Sequence, residues 1–335
     1  MTDISKVEKG LKTFFRELHG DRDVDVRGVK EINAGWEANI IGFHLIMGID
    51  ETDMVARVFN GVSAGLKADR EFKLMNKLLR RGYPVPEVYI CYTESDILGS
   101  PFIVMEWLTG GSLIDDFLKK PKLREKKITL FSELYAGLHV LPPRKILLFQ
   151  RSYRTTHGRL KYRIRDLAEE SAILGVDEFD QIVSWLNMRV QKVSDQHLTI
   201  IHQDFHPGNI LFHPDGSPVV IDWSGADLGD PREDLAWTKL LASTFYSTEL
   251  GDAFVDGYIR ASERKIEDLD YFEVLEILRR LTDAVRAFIG GGASTGLREE
   301  VVKIMIQNRP HYMNVLDRLT DLTRLETQEI AKLLS

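Results

Sequence analysis

The sequence predicts an α+β protein in two parts. An antiparallel β-sheet with a helix against it forms the N-terminal part, and a larger, mainly α-helical part follows. Three observations carry this. Short apolar runs bounded by turn residues recur between Val29 and Trp107, as in a strand meander. Beyond Ser112 the apolar residues fall instead at helical spacing. The 335 residues, 44% of them hydrophobic, supply material for two cores rather than one. Leu108-Thr-Gly-Gly111 breaks the strand pattern.

Residues 1–20 begin with an added amphipathic helix, in which Val7, Leu11, Phe14, Phe15 and Leu18 share a face and Gly20 is the stop. Val29–Asn33, Asn39–Met47 and Met54–Phe59 read as an antiparallel meander. Arg57 lies mid-strand between Ala56 and Val58, where a charge is costly unless it is paired or faces solvent. A helix is expected over Leu66–Arg81. Phe72, Met75, Leu78 and Leu79 form its apolar stripe, with Glu71 beside it. Gly82-Tyr-Pro-Val-Pro86 ends that helix in extended backbone. Val88–Tyr92 and Phe102–Trp107 then complete a sheet of about five strands.

The second part is read as helices over Leu113–Leu118, Lys127–Val140 and Val176–Val193. After the strands near residue 200 come Asp234–Phe245, Glu249–Glu263, Leu269–Phe288, Leu297–Leu319 and Leu322–Leu334. Between Arg151 and Arg165 lie six basic and no acidic residues, which reads as a solvated face or as a contact for an anionic group. Gly290-Gly-Gly292 reads as a flexible loop, with a mobile lid as the alternative. Asp230-Pro-Arg-Glu233 has the form of a capping box: an Asp cap, Pro at the first helical position and Glu three residues after the cap.

The chemistry concentrates in His202-Gln-Asp-Phe-His-Pro-Gly-Asn-Ile-Leu-Phe212 and Val219-Val-Ile-Asp-Trp223. Apolar runs at Leu198–Ile201, Ile210–Phe212 and Val219–Ile221 alternate with turn residues, so the stretch reads strand, loop, strand, turn, strand. Asp204 sits on the first loop, Asn209 ends it, and Asp222 stands where the last strand stops. One carboxylate able to accept a proton suits phosphoryl transfer when an amide and a second carboxylate can share a hard cation. On an extended segment His202, Asp204 and His206 would share a face and could bind zinc. Pro207 and Gly208 argue for a turn instead, and a structural polar loop remains the plain alternative.

H-x-D-F-H-P-G-N-I-L followed by V-I-D-W resembles the catalytic loop and metal-binding segment of the aminoglycoside phosphotransferase family. This kinase-like family also includes choline, homoserine and fructosamine kinases. The resemblance implies a protein-kinase-like two-lobe fold, with Leu108-Thr-Gly-Gly111 as the hinge between a nucleotide-binding lobe at residues 1–108 and a catalytic and substrate-binding lobe at 109–335. It also implies an enzyme that moves the γ-phosphate of ATP, or of GTP, to a hydroxyl of a small molecule, an antibiotic or a metabolite alcohol. By resemblance Asp204 is the base, Asn209 and Asp222 hold Mg²⁺, and His202 braces the loop. Arg57 would hold the α- and β-phosphates, ordered by Glu71, with Gly35 in the loop over them. Main-chain groups of Glu106 and Leu108 would meet the base, against Met105. Asp234 would anchor the catalytic loop. Gln203 departs from the glycine common there. A catalytically inactive nucleotide-binding scaffold of the same fold is the other reading. Ser224–Gly229 reads as a short loop, and so short a segment after Asp222 argues against a peptide acceptor.

A net charge of −7 argues against general affinity for nucleic acid or acidic membranes. A single cysteine, Cys91, excludes an intramolecular disulfide and fits a reducing compartment; in its apolar run it is expected to be buried and inert. With no apolar run of spanning length and no secretory leader pattern, the expected location is the cytoplasm. The residues do not indicate an oligomeric state.

Overall fold

Alternation of buried and exposed side chains builds the sheet. In β2 (Asn39–Met47) Ile41, Phe43 and Leu45 are buried on one face. Gly48, at φ +63°, supplies the left-handed residue for the tight turn into β3 (Asp50–Val58). With β1 (Asp25–Ile32), β4 (Val88–Tyr92) and β5 (Phe102–Glu106) they form a five-stranded antiparallel sheet in the order β1-β2-β3-β5-β4. The computed structural model describes residues 3–32, 38–61, 63–119, 124–147, 152–295 and 299–335. Gly35 and Arg151 lie outside the described residues.

The chain divides into two compact units. The first comprises residues 1–111 together with 211–224, and the second 112–210 with 225–335. Residues 211–224, which the sequence places in the second part, thus group with the first.

In the first unit, α1 (Ile4–His19) is capped by Asp3 and stopped by left-handed Gly20. It lays Val7, Leu11, Phe14 and Phe15 on the sheet, where Phe14 meets Phe102 and Phe15 meets Phe43. α2 (Ala64–Leu79) buries Ala68, Leu74, Met75 and Leu78. Its stripe differs from the expected one: Glu71 is inside it at 3% exposure, whereas Leu79 faces solvent. Strand β1 begins earlier than Val29, because a bulge between Arg27 and Lys30, with Gly28 at φ +64°, hides its alternation. Cys91 is half-buried on β4, and desolvation, helped by Asp69, pushes its thiol up to about 11.

The second unit is mainly helical: α3 (Leu113–Lys119), α4 (Arg124–His139), α5 (Pro143–Ile146), α6 (Thr156–Ala172), α7 (Asp177–Arg189), α8 (Pro231–Phe245), α9 (Thr248–Ser262), α10 (Leu269–Thr295), α11 (Glu299–Gln307), α12 (Arg309–Thr323) and α13 (Gln328–Leu334). Its core gathers apolar faces of α6, α7, α8, α10, α12 and α13, with Phe272, Leu275, Leu278 and Leu281 of α10 at the centre. Short strands β6 (Thr199–Ile201) and β9 (Asp227–Gly229) pair with each other, as do β7 (Ile210–Phe212) and β8 (Pro218–Val220). Strand β9 falls in a stretch that reads from sequence as a loop.

Three expectations are corrected. The basic run is mostly helix α6 and is solvated only in part: Arg154, Lys161 and Arg165 are exposed, whereas Arg159 is fully enclosed between Glu233 and Asp227 and Arg163 is 9% exposed. The triglycine is no loop; α10 runs through it with a kink at Gly291, whose φ of 65° and ψ of −166° are non-helical. The single helix expected over Leu297–Leu319 breaks at Asn308, ahead of Arg309 and Pro310.

Candidate active site

The candidate catalytic loop lies in the second unit, between β6 and β7. Gln203 takes φ +66°, which aims the following carboxylate away from the strand direction. Buried Asp234, in the first turn of α8, accepts from the amides of His202 at 2.7 Å and Gln203 at 2.6 Å. The capping box expected from Asp230 and Glu233 is present and sets the start of that helix. Asp234 is steadied by His139, whose other ring nitrogen meets the Tyr258 hydroxyl at 2.7 Å. His202 is fully buried, and its Nδ1 accepts from the Asp204 amide at 3.3 Å.

Both oxygens of Asp204 are oriented. Oδ1 accepts from Trp237 Nε1 at 2.9 Å, and Oδ2 from Asn209 Nδ2 at 3.1 Å. The Asn209 amide also donates to the Asp204 carbonyl at 2.9 Å, which holds loop and carboxylate as one piece. Nδ1 of His206 accepts from the Gly208 amide at 3.0 Å, so its ring proton sits on Nε2, 3.6 Å from Asp204 Oδ2. Burial by itself would raise the Asp204 pKa. His206, the Trp237 hydrogen bond and Arg279 outweigh it and hold the carboxyl well below the ordinary range. Asp204 is therefore an ionised acceptor at neutral pH.

The first unit holds the other group. Arg57 is 7% exposed on β3, facing Glu71 with Nε to Oε1 at 3.4 Å. Its Nη2 donates to Asp222 Oδ1 at 2.7 Å. The mid-strand charge is thus paired twice rather than solvated. Asp222 itself has φ +66°, and its Oδ1 also accepts from Ser224 Oγ at 3.2 Å. Next to it, Trp223 is 1% exposed, stands edge-on to Tyr83 and donates to the Val220 carbonyl. The Val220 amide donates to the Pro84 carbonyl at 2.9 Å, so the Pro-rich stretch after α2 fixes β8, which ends two residues before Asp222. The Gly110 amide donates to the Phe212 carbonyl at 3.0 Å, and the Phe212 amide to the Gly111 carbonyl at 3.1 Å. A Cβ on Gly110 would lie 2.4 Å from the Phe212 carbonyl oxygen, which explains a glycine at this point.

Met105 is buried at the end of β5, and the Glu106 amide is already spent on the Glu87 carbonyl. Any main-chain contact of Glu106 with a base therefore falls to its carbonyl. Among the described residues Leu108 makes no main-chain hydrogen bond.

Among the described residues neither Asn209 Oδ1 nor Asp222 Oδ2 carries a hydrogen bond, and both are oxygen donors of the kind Mg²⁺ takes. His202, Asp204 and His206 do not converge on one point. The described group close enough to share an ion is instead His44, Glu51 and Asp53, on the outer part of the sheet. Two members of the site had no motif of their own in the sequence. Trp237 ends the Asp234-Leu-Ala-Trp237 run, its one hint, and Arg279 is one of several charges on a long helix.

A family model described as the phosphotransferase enzyme family matches residues 29–276. Mouse acyl-CoA dehydrogenase family member 10 is 29% identical over 224 residues, 57% of this chain and 19% of its own. Rat acyl-CoA dehydrogenase family member 11 is 33% identical over 181 residues, 52% of this chain and 23% of its own. The match thus spans about a fifth to a quarter of these curated relatives. Among solved structures, a ternary complex of aminoglycoside phosphotransferase APH(4)-Ia with ADP and hygromycin B superposes with a TM-score of 0.64 at 16% identity, covering 94% of this chain and 98% of that one. Such identity speaks for the fold. The protein-kinase-like α+β architecture is thereby shown, and with three-quarters of its length matched by the model, the chain belongs to the phosphotransferase enzyme family.

Proposed function

We propose that this chain is a small-molecule kinase, transferring the γ-phosphate of ATP, with GTP as the other candidate donor, to an alcohol. The observation that carries the reading is Asp204, an ionised carboxylate with both oxygens positioned by Trp237 and Asn209. Asp204 accepts the hydrogen bond of the incoming hydroxyl, aligns its oxygen and takes the proton as the bond to phosphorus forms. With a depressed pKa it is a weak base, which suits a loose transition state in which the proton moves late.

Asn209 and Asp222 would hold Mg²⁺, which supplies charge neutralisation at the phosphates. Arg57 adds positive charge there, kept in place by Glu71, and its hydrogen bond to Asp222 steadies that carboxylate for the same task. Main-chain groups of Glu106 and Leu108, beside Met105, are the proposed contacts for the base, and Gly35 the residue that lets backbone approach the phosphates. His202 and Asp234 hold the loop rather than touch substrate.

For the acceptor, the names of the relatives favour acyl-CoA chemistry over an antibiotic. A hydroxylated acid or its thioester is the class we propose. Phosphorylation would turn a poor leaving group on such a chain into a good one.

Acceptor-dependent release of ADP tests the assignment. Asp204→Asn should lower turnover by roughly 10²–10⁴ while nucleotide affinity stays within about twofold. Unchanged turnover would remove Asp204 from the chemistry. Nucleotide binding with no acceptor-dependent release for any hydroxylated acid, thioester, sugar or amino alcohol would favour an inactive scaffold of the same fold.

A further inference from the structure

Arg280 is a buried charge that the phosphoryl-transfer chemistry leaves unused. It is 8% exposed, on α10, a helix that packs against α8 and α12. Its Nε donates to His311 Nε2 at 3.1 Å. The guanidinium carbon lies 5.0 Å from the centroid of the Tyr312 ring and 6.0 Å from that of Trp237. Among the described residues this is its only hydrogen bond, and no carboxylate comes within ion-pair distance, Asp283 one turn further on included. Neighbouring Arg279 shows the contrast. It pairs with Glu276 at 3.2 Å, donates to the Gln203 carbonyl at 2.8 Å and stacks 4.2 Å from Trp237.

The surroundings do not discharge Arg280. Burial, and after it the Arg280 charge, push the His311 imidazole down to about 3, so that ring is neutral and offers a single lone pair. Among the described residues the terminal nitrogens of Arg280 have no protein acceptor, yet they are not fully sealed from solvent, so their donors are free for an incoming group. The cluster is not sealed: Phe245 stacks on His311 at 3.7 Å and is 41% exposed. One indole ring links it to the chemistry, because Trp237, whose ring Arg280 approaches, gives its N–H to Asp204.

We propose that Arg280 reads an anionic group on the phosphate acceptor, a carboxylate or a phosphate carried on the same molecule as the hydroxyl that Asp204 receives. A guanidinium fork matches either group with paired hydrogen bonds, and an incoming anion would supply the compensation the protein withholds. The inference rests on the assignment of Asp204 made above. It narrows the acceptor to anionic alcohols and excludes polycationic ones such as aminoglycosides.

Calorimetric titration without nucleotide tests it. The probes are 3-hydroxybutyrate and glycerol 3-phosphate, each matched to its neutral counterpart, 1,3-butanediol and glycerol. One of the anions should bind the wild type, bind Arg280→Met about tenfold or more weakly, and bind Arg280→Lys in between; the loss is that of a charged hydrogen-bond pair. The anion that responds tells a carboxylate from a phosphate. Matching thermal unfolding of Arg280→Lys and wild type guards against misfolding. Equal binding of both anions to wild type and Arg280→Met, no binding of either anion to the wild type, or better binding of the neutral alcohols, overturns the proposal. Failure of the kinase reading is separate, since it shows as loss of the nucleotide response.

Discussion

Gln203 shows how one residue carries the cost of a site. It occupies left-handed backbone, φ +66°, at a position where the resembled family commonly has glycine. A side chain there costs about 1–2 kcal/mol. The backbone bonds that hold it are its own amide to Asp234 and its carbonyl to Arg279. The side chain makes no hydrogen bond among the described residues, so it contributes little in return. Gln203→Gly should relieve the strain, less the roughly 0.5–1 kcal/mol that glycine loses in chain entropy. The expected net gain is about 0.5–1 kcal/mol in denaturant unfolding, with Gln203→Ala close to wild type. A destabilised glycine variant would mean that the side chain holds the loop.

At the scale of elements, α1 and β1 are joined by charge as well as by apolar contact. Lys12 and then Arg27 hold Asp25 down at about 2 from the ordinary 3.8. A carboxylate depressed on folding stabilises above its unfolded pKa and loses that contribution as pH falls through the folded one. Asp25→Asn should therefore unfold at lower temperature than wild type above pH 4, and the gap should close between pH 4 and about 2. A gap that persists at pH 2 would assign the difference to packing.

The elements also show where the sequence was legible. Strands β2 and β4 have the limits that their apolar runs suggest, since turn residues bound each run. The bulge in β1 and the short, polar β9 have no such pattern, so one was shortened and the other read as loop. Helix α6 was masked by its arginines. Local sequence says nothing of Glu233 and Asp227, the carboxylates that bury Arg159. The motif residues Asp204, Asn209 and Asp222 were legible because chemistry fixes their types within one short stretch. Trp237 and Arg279 were not, because each meets the loop, at Asp204 and at the Gln203 carbonyl, only across a long stretch of sequence.

For the whole molecule, the candidate groups divide between the two compact units. Arg57, Glu71 and Asp222 belong to the first, and Asp204 and Asn209 to the second. The proposed function rests on a magnesium-bound nucleotide that Asp222 helps to hold. Thermal unfolding with Mg²⁺-ATP and Mg²⁺-GTP, in wild type and Asp222→Asn, tests this most directly. At about 100 times the dissociation constant, a ligand bound only by the folded state adds about 2.7 kcal/mol of stability. The account predicts a magnesium-dependent rise in unfolding temperature for wild type with at least one nucleotide, lost in Asp222→Asn. No rise with either nucleotide at millimolar concentration, or an equal rise in the variant, would contradict it.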